Sequence, residues 1–137
     1  VFLGEHQHTL DDKGRVILPA RFRDKLAGGV VLTVSKDRCI DVFPRAEFER
    51  RVEQLQERVE ADEAPLSDLR VFSAKAFEEV PDSQGRVTIP PALREYARLD
   101  RDLTVNGAVK SIQIWDRSAW DAYQDGASDR FADGGAA

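Results

Sequence analysis

The chain has 137 residues, of which 42% are hydrophobic, 33% charged and 8% aromatic, a balance that suits one compact domain and excludes a collagen-like, mucin-like or wholly unfolded chain. No run of about 18 apolar residues occurs, and the N-terminus lacks the basic-then-apolar layout of a signal peptide, so the sequence predicts a cytoplasmic protein with no membrane span. A net charge of −5 argues against a bulk polyanion binder, and the single Cys39 leaves no internal disulfide. Methionine is absent, and Val1 reads as the literal translation of a GTG start codon.

In chain order, the first predicted element is a hairpin with strands 5–10 and 15–18. Between them Asp11-Asp12-Lys13-Gly14-Arg15 carries a turn signal, because an Asp at the first position accepts backbone N–H bonds and a Gly at the fourth tolerates positive φ. Pro19 ends the outgoing strand and opens a short helix over 20–26, which Gly28-Gly29 stops. The β-branched run 30–34 predicts a third strand and 40–43 a fourth. After Pro44, Phe48, Val52, Leu55 and Val59 recur at helical spacing and form one apolar stripe that needs a partner. Asp62-Glu63-Ala64-Pro65 breaks that helix, and Leu66, Leu69 and Phe72 suggest another.

The pattern then begins again. Residues 11–23 align without a gap on 82–94 at an offset of 71, so that Asp82-Ser83-Gln84-Gly85-Arg86 repeats the turn. Leu32-Thr33-Val34 matches Leu103-Thr104-Val105, and after a one-residue slip 39–43 matches 111–115. The repeat predicts a second hairpin with strands 77–80 and 86–89, a helix over 91–97, strands 103–106 and 112–115, and a short helix 117–123 that starts after Asp116. From Gly126 onward Gly, Ala, Ser and Asp dominate, which predicts a frayed tail. The organisation is thus a first unit over 1–60, a helical connector over 61–76, a second unit over 77–125 and a flexible tail over 126–137.

Phe2-Leu3-Gly4-Glu5, His8-x-Leu10-Asp11-x-Lys13-Gly14-Arg15, Leu18-Pro19-x-x-Phe22-Arg23 and the second Asp82-x-x-Gly85-Arg86 resemble the MraZ family of bacterial transcriptional regulators. The resemblance covers the chain to about residue 124. It implies an α+β fold in which two tandem swapped-hairpin units, of the AbrB or SpoVT kind, form one pseudo-two-fold β-barrel with flanking helices. It further implies a ring oligomer, commonly an octamer. Such a ring binds short repeated boxes in double-stranded DNA upstream of its own gene, at the head of a division and cell wall cluster, and so associates with the nucleoid. Val1 departs from the family's usual Met without touching these motifs.

Arg15 and Arg86 are the residues on which a DNA-binding function turns, because a planar guanidinium bonds phosphate oxygens or the O6 and N7 of guanine bidentately. Asp11 and Asp82 can orient them; the bland reading is a surface ion pair that only steadies the turn, worth at most about 1 kcal/mol. Lys13, Arg21 and Arg23, with Lys25, concentrate positive charge in the first unit, where the second has Gln84, Ala92, Arg94 and Tyr96. This charge suits phosphate contacts, although Arg21, Arg23 and Arg94 also read as solvated helix faces. The stretch 47–68 is acidic.

Other features are weaker. His6 and His8 alternate on one strand face, read as a solvent face, and with Asp11 would make an incomplete metal site. Cys39, Phe43, Phe48, Trp115 and Trp120 read as core. The sequence shows no phosphate loop, nucleophile elbow or zincin motif, so neither cofactor nor enzymatic activity is expected. The competing function is an interaction protein that neutralises a partner, as antitoxins on the same hairpin fold do.

Overall fold

A computed structural model describes residues 1–134 and shows an α+β fold. Its strands are β1 (Glu5–Thr9), β2 (Arg15–Ile17), β3 (Val30–Val34), β4 (Ile40–Pro44), β5 (Phe77–Glu79), β6 (Arg86–Thr88), β7 (Asp102–Gly107) and β8 (Ile112–Asp116). The helices are α1 (Arg23–Leu26), entered through a 3-10 turn at Ala20–Phe22, then α2 (Arg45–Glu60), α3 (Leu66–Ala74), α4 (Pro91–Tyr96) and α5 (Arg117–Ala132). Pro19, Pro44, Pro65 and Pro90 each stand at an N-cap, where a missing N–H costs nothing. The Asp116 carboxylate caps α5 by accepting from the Ala119 N–H.

Six strands form one antiparallel sheet in the order β1-β7-β8-β4-β3-β5, and β2 pairs with β6 in a separate two-stranded ribbon. Exchanging each strand for its repeat equivalent, β1 for β5, β3 for β7 and β4 for β8, reverses this order and leaves it unchanged. The two halves are therefore related by a pseudo-two-fold operation.

The predicted hairpins need correction. Both turns form, with the Asp11 N–H donating to the Arg15 carbonyl at 2.9 Å and the Asp82 N–H to that of Arg86 at 3.0 Å. Beyond the turns, however, the flanking strands part. Strand β1 pairs with β7 of the second half and β5 with β3 of the first, while β2 and β6 pair with each other. Exchanging strands between halves gives every short strand a long or equivalent partner, which a three-residue strand in a local hairpin lacks.

The barrel implied by resemblance also needs correction, because the hydrogen-bonded sheet is open, with β1 and β5 at its edges. Side chains, not a ladder, join the ribbon to the sheet: Val16, Leu18, Val87 and Ile89 are buried in the same core as Leu32, Ile40, Val42, Leu103, Val105, Ile112 and Ile114. Each fully buried aliphatic side chain contributes roughly 1.5–3 kcal/mol.

Helix α5 is as long as α2, 16 residues each, and runs through Gly126 to Ala132, where a short helix and a frayed tail were expected. The small residues of 126–132 continue a capped helix begun by Trp120 and Tyr123, which pack on Trp115 with ring centroids 5.2 and 5.0 Å away. The rest of the predicted tail, 135–137, lies outside the described residues. The α2 stripe finds part of its partner in α3, where Phe48 stacks on Phe72 at 5.5 Å; no residue of α2 is fully buried.

Candidate nucleic-acid interface

The ribbon β2–β6 gathers the two motifs that the sequence singled out. Its register sets Val16 opposite Val87, Arg15 opposite Thr88 and Ile17 opposite Arg86. Because strand side chains alternate, the two buried valines anchor the ribbon from below and leave Arg15, Ile17, Arg86 and Thr88 on its outer face. Two further backbone bonds clamp the ends, from Leu18 N–H to the Gly85 carbonyl at 2.9 Å and from Ile89 N–H to the Gly14 carbonyl at 2.8 Å.

The two turns have the same construction. Asp11 Oδ1 accepts from the Lys13 and Arg15 backbone N–H groups, both at 2.9 Å, and its Oδ2 accepts from Arg15 Nε at 2.8 Å. Asp82 Oδ1 accepts from Gln84 at 3.0 Å and Arg86 at 2.9 Å, and its Oδ2 from Arg86 Nε at 2.7 Å. The backbone N–H of the arginine is the main influence holding each carboxyl below its usual range; desolvation opposes it, and the arginine side chain and the second N–H add to it. Each aspartate thus stays ionised and engages only Nε–H of its arginine. The four remaining Nη N–H donors of each arginine make no hydrogen bond to the turn carboxylate. At 27% and 26% side-chain exposure, both arginine side chains are partly exposed at the surface.

Gly14 and Gly85 adopt φ of +75° and +78°, and each is covered by an arginine from the other half. A Cβ on Gly14 would stand 3.0 Å from Arg94 Cζ, and one on Gly85 would meet Arg23 Nε. Arg23 Nε also donates to the Leu18 carbonyl at 3.1 Å. From sequence, Arg23 and Arg94 each admit DNA contact or a solvated helix face, with Arg23 alone counted among the site residues; the structure brings both to the ribbon. The repeat itself was the signal, since Arg94 is the equivalent of Arg23.

Lys13 lies exposed at the first turn beside the ribbon, and Arg21 is exposed on the 3-10 turn. Lys25 is directed elsewhere: its Nζ donates to the Val1 carbonyl at 3.0 Å and sits 5.4 Å from the Phe2 ring centre. His6 and His8 do share a face, but it is the inner one and not the solvent face, with His6 edge-on to Phe22 at 5.3 Å. Burial, then His6 and Arg23, lower the His8 pKa. Among the described residues no group of three His, Cys, Asp or Glu side chains is placed to hold a metal ion. Burial and the Asp41 charge push the Cys39 thiol up to about 12, so it offers no thiolate nucleophile near neutrality. Among the described residues no helix is long and apolar enough to cross a membrane.

Fold and site together define a class: an α+β protein of two equivalent halves that presents a surface ribbon with two aspartate-braced arginines. The family described as "MraZ protein, putative antitoxin-like" matches the chain twice, over residues 1–69 and 72–136, and the two matches start 71 residues apart, as the repeat does. Proteins named "Transcriptional regulator MraZ" are similar along most of their length. That of Salinispora tropica is 56% identical over 133 residues, 97% of this chain and 94% of that protein. The Paenarthrobacter aurescens protein is 53% identical over 123 residues, 90% and 86% of the two chains, and the Kineococcus radiotolerans protein 47% identical over 133 residues, 97% and 93%. The chain belongs to the MraZ family.

Proposed function

We propose that this protein is a sequence-specific DNA-binding transcriptional regulator whose β2–β6 ribbon enters the major groove and reads guanines through Arg15 and Arg86. The observation that carries the reading is the pair of arginines on one outer ribbon face, each braced through Nε by Asp11 or Asp82 with its Nη donors free of the turn. A two-stranded ribbon fits the major groove, and the Nη fork matches guanine O6 and N7. Lys13 at the first turn, Arg23 against Gly85 and the exposed Arg21 serve as phosphate contacts, which position the protein without selecting sequence. The names of the relatives support a regulatory role.

The units 1–60 and 77–125, joined through 61–76, act as one reading head, and identical subunits assemble into a ring, an octamer by family likeness. Such a ring engages repeated boxes upstream of its own division and cell wall cluster, at the nucleoid. Several weak sites on one ring then add by avidity.

Gel shifts on the protein's own upstream region, at fixed salt, test this reading. Arg15→Ala and Arg86→Ala are each expected to weaken specific binding while remaining folded oligomers, and unchanged affinity in both would overturn it. A second reading, neutralisation of a protein partner, draws on the antitoxin-like wording of the family description. A stoichiometric protein complex that forms equally well with Arg15→Ala and Arg86→Ala would favour it.

A further inference from the structure

Between the two arginines the ribbon carries a residue that neither charge nor turn geometry explains. Ile17 is 43% exposed on the outer face, directly across the ribbon from Arg86, while its repeat equivalent Thr88 faces Arg15. Strand propensity favours a β-branched residue at either place, and threonine meets it while leaving a hydroxyl to water. An isoleucine offers only hydrocarbon.

Facing strand residues have Cβ atoms about 4.5–5.5 Å apart, and bases along one strand of duplex DNA follow at about 3.4 Å. A side chain across from an arginine that reads one base therefore reaches the neighbouring base pair. The apolar group there on a major-groove edge is the 5-methyl of thymine.

We infer that Ile17 is a specificity-determining residue that packs on the 5-methyl of a thymine next to the base read by Arg86. Thr88, with one methyl and a hydroxyl, makes the corresponding contact beside Arg15 more weakly. The halves of the ribbon then prefer different neighbours, a difference in the same direction as Lys13 against Gln84. The inference rests on the DNA-binding reading above.

To test it, the preferred site is selected from random duplexes with the wild-type protein and resynthesised with deoxyuridine replacing one thymidine at a time, which removes only the methyl. Wild type is expected to lose about fourfold in affinity at one thymine or more, the worth of one buried methyl. With Ile17→Ser that loss disappears, thymine and uracil sites binding alike, while the preference for guanine stays. A preferred site without thymine, no loss with any uracil, or the same loss in Ile17→Ser overturns the inference. The wild-type series needs no variant to fold, and Ile17→Thr gives a second, milder substitution with an intermediate loss expected. Failure of any sequence to be enriched overturns the DNA-binding reading itself, an outcome distinct from enrichment of a site that ignores the methyl.

Discussion

The pseudo-two-fold relation brings repeat equivalents face to face at two places, and the chain treats them differently. At the ribbon the facing residues are alike, Val16 on Val87, and the arginines around them are alike too. At the centre of the large sheet Asp41 of β4 faces Gln113 of β8, its repeat equivalent, and Gln113 Nε2 donates to Asp41 Oδ1 at 3.1 Å. Two valines facing each other across such a relation pack well. Two buried aspartates would repel, so a polar position there needs the halves to differ. The glutamine also accepts from Trp115 Nε1 at 3.3 Å, which ties the central pair to the aromatic cluster under α5. Symmetry is kept in the buried valine pair and the braced arginines of the ribbon, and broken in the large sheet where a buried polar pair must be complementary.

The largest effect should come from breaking the alike region. Arg15→Ala or Arg86→Ala removes one bidentate donor and is expected to cost about 1–3 kcal/mol of specific binding, or roughly 5- to 150-fold; the double variant falls to non-specific affinity, as read by titration with specific and scrambled duplexes. Near-equal losses in the single variants would mark the halves as equivalent readers.

Gly85→Ala puts a side chain at φ +78° and pushes Arg23 from its place, so a loss of about 1–2 kcal/mol is expected in urea unfolding. Gly14→Ala, against Arg94 at 3.0 Å, is expected to cost less.

Lys13→Gln makes the first turn like the second. It should weaken binding to all sequences alike and flatten the slope of log affinity against log salt by about one per site, whereas Gln84→Lys steepens it by about one.

The smallest effect concerns the unlike region. Burial, opposed by the Gln113 bond, raises the Asp41 pKa, so the folded state holds its proton more tightly than the unfolded chain does. The contribution of this group is fully present below the unfolded carboxylate pKa and is lost as pH rises through the raised folded value. Asp41→Asn is therefore expected to raise the thermal midpoint at pH 7 by a small amount, with the gain vanishing in acid below the ordinary carboxylate range; calorimetry at both pH values checks it.

Much of the candidate site was legible as sequence because it is built from local chemistry. An Asp four residues before an Arg, with Gly between, can make its turn bonds within five residues, and the repeat showed that it does so twice. The place of Arg94 escapes a local reading because it depends on crossing to Gly14 of the other half, which no local pattern records. The inward face of His6 and His8 escapes a local reading for a related reason. Alternation says that two residues share a face, while Phe22, brought there by a different segment, decides which face is inside.

What the sequence by itself determined is the inventory: two copies of one unit, the turns, the strand segments, the helices apart from the length of α5, and the braced arginines, which follow from local patterns and their repetition. Only the tertiary structure decided the partners. It exchanged β1 and β5 between halves and paired β2 with β6, setting two arginines 71 residues apart in sequence on one ribbon face. The physical reason is that short strands gain stability from partners and a shared core, and those partners are chosen by packing across the whole chain.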